Sequence, residues 1–145
     1  MTTRAATSSA SSTTRPSKGL HIALWVVQVL LAVAFFMAGL MKLTTPYEAL
    51  NAQMPWTTAF PEGMVRFIGL VEVLGAIGLV LPSATRIQPR LTPLAALGLV
   101  VVMVLASGLH LSRGEGAMVP ANLVLGALAA FVAWGRSKKA PIAAR

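Results

Sequence analysis

The chain has 145 residues, enough for one domain, with 56% hydrophobic and 11% charged residues against about 25% charged in a soluble domain. A soluble protein of this size has no interior large enough to hide that much apolar surface, and the mean hydropathy of +0.75 agrees. The net charge is +8 with no Asp and no Cys, which excludes disulfides, thiol catalysis and iron–sulfur ligation by this chain.

In chain order, residues 1–19 come first, with ten Ser or Thr plus Arg4, Arg15 and Lys18. This segment is too polar to bury a core and is expected to be a disordered tail. A positive tail before an apolar run also opens a signal peptide. The run that follows, 20–41, is longer than a secretory core of about 7–15 residues and lacks a small-residue cleavage site, so it reads as a retained helix. Three more apolar blocks follow at about 64–81, 91–110 and 117–134, the second ending at Pro82. Each is close to the roughly 20 residues that span about 30 Å of hydrocarbon as a helix. Pro93 and Pro120 fall in first turns, where the missing N–H has no helical partner. The blocks are continuous rather than alternating in polarity, which favours helices over a membrane β-barrel.

The first loop, 42–63, is long, whereas 82–90 and 111–116 are short, so the last three helices run antiparallel and adjacent. The fold class is therefore all-α: an integral membrane four-helix antiparallel bundle. Nine Lys and Arg fall in the tail, the second loop and the basic C-terminal stretch 137–145 with Arg136, against Lys42, Arg66 and Arg113 opposite. The positive-inside rule then puts both termini in the cytoplasm. Because the basic residues border apolar blocks, their expected partner is the lipid bilayer and not nucleic acid.

Polar groups inside a span are expensive and need a reason. Glu72 is the sharpest, on a helix face with Gly69, Gly75 and Ala76, where small residues admit a neighbouring helix. It is expected to face the bundle interior, with Lys42, Arg66, His110 or Asn122 as candidate partners. All of these fall in the outer half, so the cytoplasmic half reads as mostly apolar, with only His21 and Gln28 there. Two uses of Glu72 stay open: a proton-handling or ligand-binding carboxylate, and a structural polar lock between helices. His110 is either a general acid–base or quinone-site residue, or an interfacial histidine, and His21 reads as interfacial. The two histidines lie at opposite membrane faces, which argues against an intramolecular bis-histidine haem, and the residue types present offer no transition-metal site. Ala34 with Ala38, and Gly126 with Ala130, have the spacing of close helix contacts, within the chain or in a homodimer.

The segments FFMAGLMKL (35–43), RFIGLVEVLGAIGLVLP (66–82), LTPLAALGLVVVMVLASGLHLSRGE (91–115) and NLVLGALAAFVAWGR (122–136) carry a resemblance. Together they look like the DoxX-like family of small bacterial four-helix membrane proteins, over about residues 20–136. The resemblance implies a multi-pass protein of the bacterial plasma (inner) membrane. Most members have no assigned activity; the likeness together with the polar cluster makes an accessory or quinone-proximal role in a membrane redox system the leading expectation, with a soluble partner supplying the redox centre. Any cofactor would be a non-covalent quinone. Lys42, Glu72 and His110 match family motif positions without an assigned catalytic role. The other function classes are a small-solute or proton-coupled carrier, which the intramembrane carboxylate suits, and a structural or assembly factor with no ligand.

Overall fold

The computed structural model describes residues 15–145, so the expectation of a disordered tail over 1–19 falls mostly outside the described residues. The elements are α1 (Lys18–Thr44), α2 (Tyr47–Gln53), a 3₁₀ turn (Pro55–Ala59), α3 (Glu62–Thr85) and α4 (Leu91–Ser112), followed by a 3₁₀ turn (Gly116–Met118), α5 (Val119–Trp134) and a π turn (Gly135–Lys139). Among the described residues there are no strands and four stretches long and apolar enough to cross a membrane, built on α1, α3, α4 and α5. Each long helix packs on its neighbour in sequence and α5 closes back on α1, an up-down-up-down ring.

The helices are apolar all round, as membrane spans are. Leu31, Phe35, Ala76, Leu79, Ala96, Leu99, Met103, Ala129 and Val132 meet in the centre, while Leu30, Val33, Leu74, Leu105 and Leu123 face outward. Such an outward apolar surface costs little in lipid and would be unsustainable in water. Side-chain size sets how closely the helices approach. A Cβ on Gly39 would lie 2.6 Å from the carbonyl oxygen of Gly69, and one on Gly78 would lie 2.7 Å from the Ala95 methyl. The α1–α3 and α3–α4 crossings therefore depend on bare backbone at these points.

Several boundaries differ from the sequence expectation. Ser17 starts α1 early, its hydroxyl accepting from the Leu20 N–H. α3 continues through Pro82 to Thr85, instead of ending at the proline. A proline in a packed span is tolerated because neighbouring polar groups compensate the interrupted ladder, and here the Gln28 side-chain amide donates to the Leu79 carbonyl, in the turn before Pro82, at 2.6 Å. The helix stops instead at Arg86, which takes the left-handed conformation at φ 61°. The long first loop is itself folded: the Tyr47 hydroxyl donates to the carbonyls of Phe60 (2.6 Å) and Thr57 (3.1 Å), pinning α2 and its 3₁₀ turn over the bundle. The C-terminal stretch returns to the short α3–α4 loop, where the Arg145 N–H donates to the Arg86 carbonyl.

Candidate functional site

The even number of spans gives the bundle a termini end and a long-loop end, each with its own polar cluster. At the long-loop end, Lys42 and Glu72 form a salt bridge, Nζ to Oε2 at 2.7 Å, with the residues only 5% and 4% exposed. Local geometry explains why these two meet. Gly39 precedes Lys42 by three residues and Gly69 precedes Glu72 by three, so each glycine shares a face with one member of the pair. A Cβ on Gly69 would lie 2.8 Å from the Lys42 Cβ. The close crossing of α1 and α3 brings the two side chains within reach. Arg66 donates to the Lys42 carbonyl, placing that backbone level with the first turns of α3. Glu72 lies six residues deeper, roughly 9 Å along the axis. Side chains lean toward the N-terminus of their own helix, so on antiparallel helices Lys42 leans down and Glu72 leans up.

Arg66 does not serve Glu72. Its guanidinium donates to Glu62 one turn earlier (2.8 Å) and to the carbonyls of Lys42 and Thr45. It thus satisfies open carbonyls at the end of α1, the role that suits a cation at a helix C-terminus. His110 also has a partner of its own. α4 ends in a Schellman turn, with Gly114 at φ 73° and the Glu115 N–H returning to the His110 carbonyl at 2.8 Å. That turn carries the Glu115 carboxylate back to His110 Nδ1 (2.7 Å) and to Arg113 Nε (2.9 Å). The His110 hydrogen bond first, and Arg113 second, hold the Glu115 carboxyl below the usual carboxylate range.

The folded first loop joins these two groups. Trp56 places its ring 5.8 Å from Lys42 Nζ, a cation–π distance, and the adjacent Pro55 carbonyl accepts from Arg113 at 3.3 Å. One dipeptide therefore touches both clusters. Asn122, in the first turn of α5 at this same end, has a buried amide nitrogen with no hydrogen-bond partner. Of the five residues singled out from sequence, the structure joins Lys42 to Glu72, gives Arg66 and His110 separate partners, and leaves the Asn122 amide as a free donor. A quinone offers carbonyl oxygens that accept hydrogen bonds and a ring that wants apolar walls. The Lys42 ammonium beside the Trp56 indole, and separately the Asn122 amide, are the groups at this end that could offer donors to such a ligand.

At the termini end the expectation of a mostly apolar half fails. Arg136, in the π turn after α5, is 4% exposed and donates through Nε to Gln28 Oε1 at 2.6 Å. Gln28 in turn donates to the Leu79 carbonyl at 2.6 Å. The Arg136 guanidinium lies 5.4 Å from the Trp25 ring and its Nη1 is 3.2 Å from His21 Nδ1. One signal was legible in sequence: the lone Gln28 at the centre of an apolar face. Its partner 108 residues away was not.

The profile of the DoxX-like family matches residues 26–132. No curated relative and no solved structure matches the chain.

Proposed function

The chain belongs to the DoxX-like family, and from that premise we propose that it is an accessory, quinone-proximal subunit of a redox system in the bacterial plasma membrane, with both termini cytoplasmic. One observation supports this above the others: a charged pair lies buried beneath an aromatic side chain at the long-loop end, and an unpaired amide donor is buried at that same end. Such groups are costly in lipid and are retained where a polar ligand or a proton needs them. Lys42 and Asn122 would donate hydrogen bonds to quinone carbonyls, and Glu72 beside Lys42 would take or give a proton. A quinone held there would supply two-electron, two-proton redox chemistry, with a soluble partner that carries the redox centre as the electron source. For the described residues, Lys and Arg concentrate at the termini end, which supports the orientation.

The test uses tryptophan fluorescence, since quinones quench indoles at short range. In a Trp25→Phe/Trp134→Phe background Trp56 is the remaining reporter, because the chain has three Trp. Short-chain ubiquinone and menadione are titrated into nanodiscs. Saturable quenching that weakens in Lys42→Met and Glu72→Gln is the expected result. Quenching that never saturates and is the same in all variants, together with no quinone or partner subunit on native mass spectrometry, overturns the proposal.

A second reading, a structural factor in which Lys42–Glu72 only locks α1 to α3, draws support from the Gly39–Gly69 approach beside the pair. It expects those variants to lose stability and no ligand response.

A further inference from the structure

Arg136 is a buried cation without a counter-charge. The four acidic residues of the chain are Glu48, Glu62, Glu72 and Glu115, and none forms a salt bridge with it. Its neutral neighbours do not satisfy it. Nε has Gln28, Nη1 has the Ala140 carbonyl at 3.2 Å, and Nη2 is buried with no partner. The His21 contact does not help. The Trp25 indole N–H, a donor only, points at His21 Nε2 at 3.1 Å, while Arg136 Nη1 sits against Nδ1 at 3.2 Å. A neutral imidazole has one accepting nitrogen and an imidazolium has none, so the ring cannot accept from both. Donors exceed acceptors around this guanidinium in any tautomer. A buried charge in that condition calls for an anion.

A cavity of about 540 Å³ stands beside it, between the start of α4 and the C-terminal stretch. Arg90, Arg136 and Ser137 are among its lining residues, together with Leu94, Leu97 and Ile142. Leu94 and Leu97 are 60% and 51% exposed on the outward face of α4. The cavity thus joins two arginines to the surface that lipid chains would cover.

We propose that this cavity binds the phosphate of an anionic phospholipid, with Arg136 and Arg90 on the headgroup and the acyl chain along Leu94 and Leu97. A phosphate held between Arg90 and Arg136 supplies the negative charge that the Arg136 cluster lacks. A free phosphate shares the headgroup chemistry but leaves Leu94 and Leu97 unused, and this selects the lipid.

The test takes the full chain, delipidated in mild detergent, and adds phosphatidylglycerol, phosphatidylcholine or glycerol 3-phosphate at equal concentration. Thermal unfolding and native mass spectrometry are read together. Phosphatidylglycerol is expected to raise the unfolding midpoint and to remain as a 1:1 adduct, since a ligand of the folded state stabilises it by mass action. The other two additions should do neither. Arg136→Gln should weaken the lipid effect about tenfold, the worth of one charge-assisted contact. Because Arg136 also braces Gln28, Arg90→Gln and Leu97→Trp test the same cavity without disturbing that brace, and both should diminish the adduct. Equal retention of phosphatidylcholine, an equal shift with glycerol 3-phosphate, or undiminished phosphatidylglycerol binding in Arg90→Gln and Leu97→Trp overturns the proposal.

Discussion

The Lys42–Glu72 pair permits a quantitative test of how α1 is held to α3. At 2.7 Å, and with an effective dielectric of about 20, the gross attraction is on the order of 6 kcal/mol. Dehydrating each ion costs several kcal/mol, so the net worth of the pair is small, but breaking it is not. Lys42→Met strands a carboxylate and Glu72→Leu strands an ammonium. Removing one partner of a buried pair costs about 3–5 kcal/mol, and each single variant should lose an amount in that range. The double variant leaves no stranded charge and should fall within about 1 kcal/mol of the parent, because an apolar pair often replaces a buried ion pair without loss. The assay is reversible unfolding by SDS titration from mixed micelles, followed by tryptophan fluorescence. Single variants that lose less than about 1 kcal/mol, or effects that add to within about 0.5 kcal/mol in the double variant, would refute the reasoning.

Four other outcomes follow from the same structure. Gly39→Leu should prevent α1 and α3 from closing, because even a Cβ there meets the Gly69 carbonyl at 2.6 Å; Gly98→Ala, with open space around it, should be neutral or gain about 0.5–1 kcal/mol in the same unfolding assay. Gln28→Leu removes the acceptor of Arg136 and the donor to Leu79 and should cost about 1–3 kcal/mol, read by thermal unfolding. Glu115 is held below its ordinary value by His110 and then Arg113, so its contribution is present above the unfolded value near pH 4.3 and is lost as pH falls through the lowered folded value. Trp56 emission should therefore change below about pH 4 as Arg113 releases Pro55, and Glu115→Gln should remove that pH dependence.

The four spans were legible in the sequence because each is a one-dimensional property. A run of about 20 apolar residues has one way to satisfy its backbone in lipid, as a helix. The family was legible too, through the segments around Lys42, Glu72 and His110. Ends and partners were less so. Pro82 read as a stop, yet α3 passes through it. The loop 42–63 read as a connection, yet Tyr47 ties it into a cap that brings Trp56 over Lys42. Four candidate partners stood open for Glu72, and only the Gly39–Gly69 crossing, which sets the height of α1 against α3, selects Lys42. The same holds for Arg136, which as one basic residue among several after the last span read as a topology signal. Packing of the π turn against Leu24, Gln28 and His21 makes it a buried charge short of an acceptor. Apolar runs and bordering charges are written residue by residue, so the sequence by itself determined the spans. Which polar side chains meet depends on the rotation and height of one helix against another, and those are settled by packing between residues far apart in the chain.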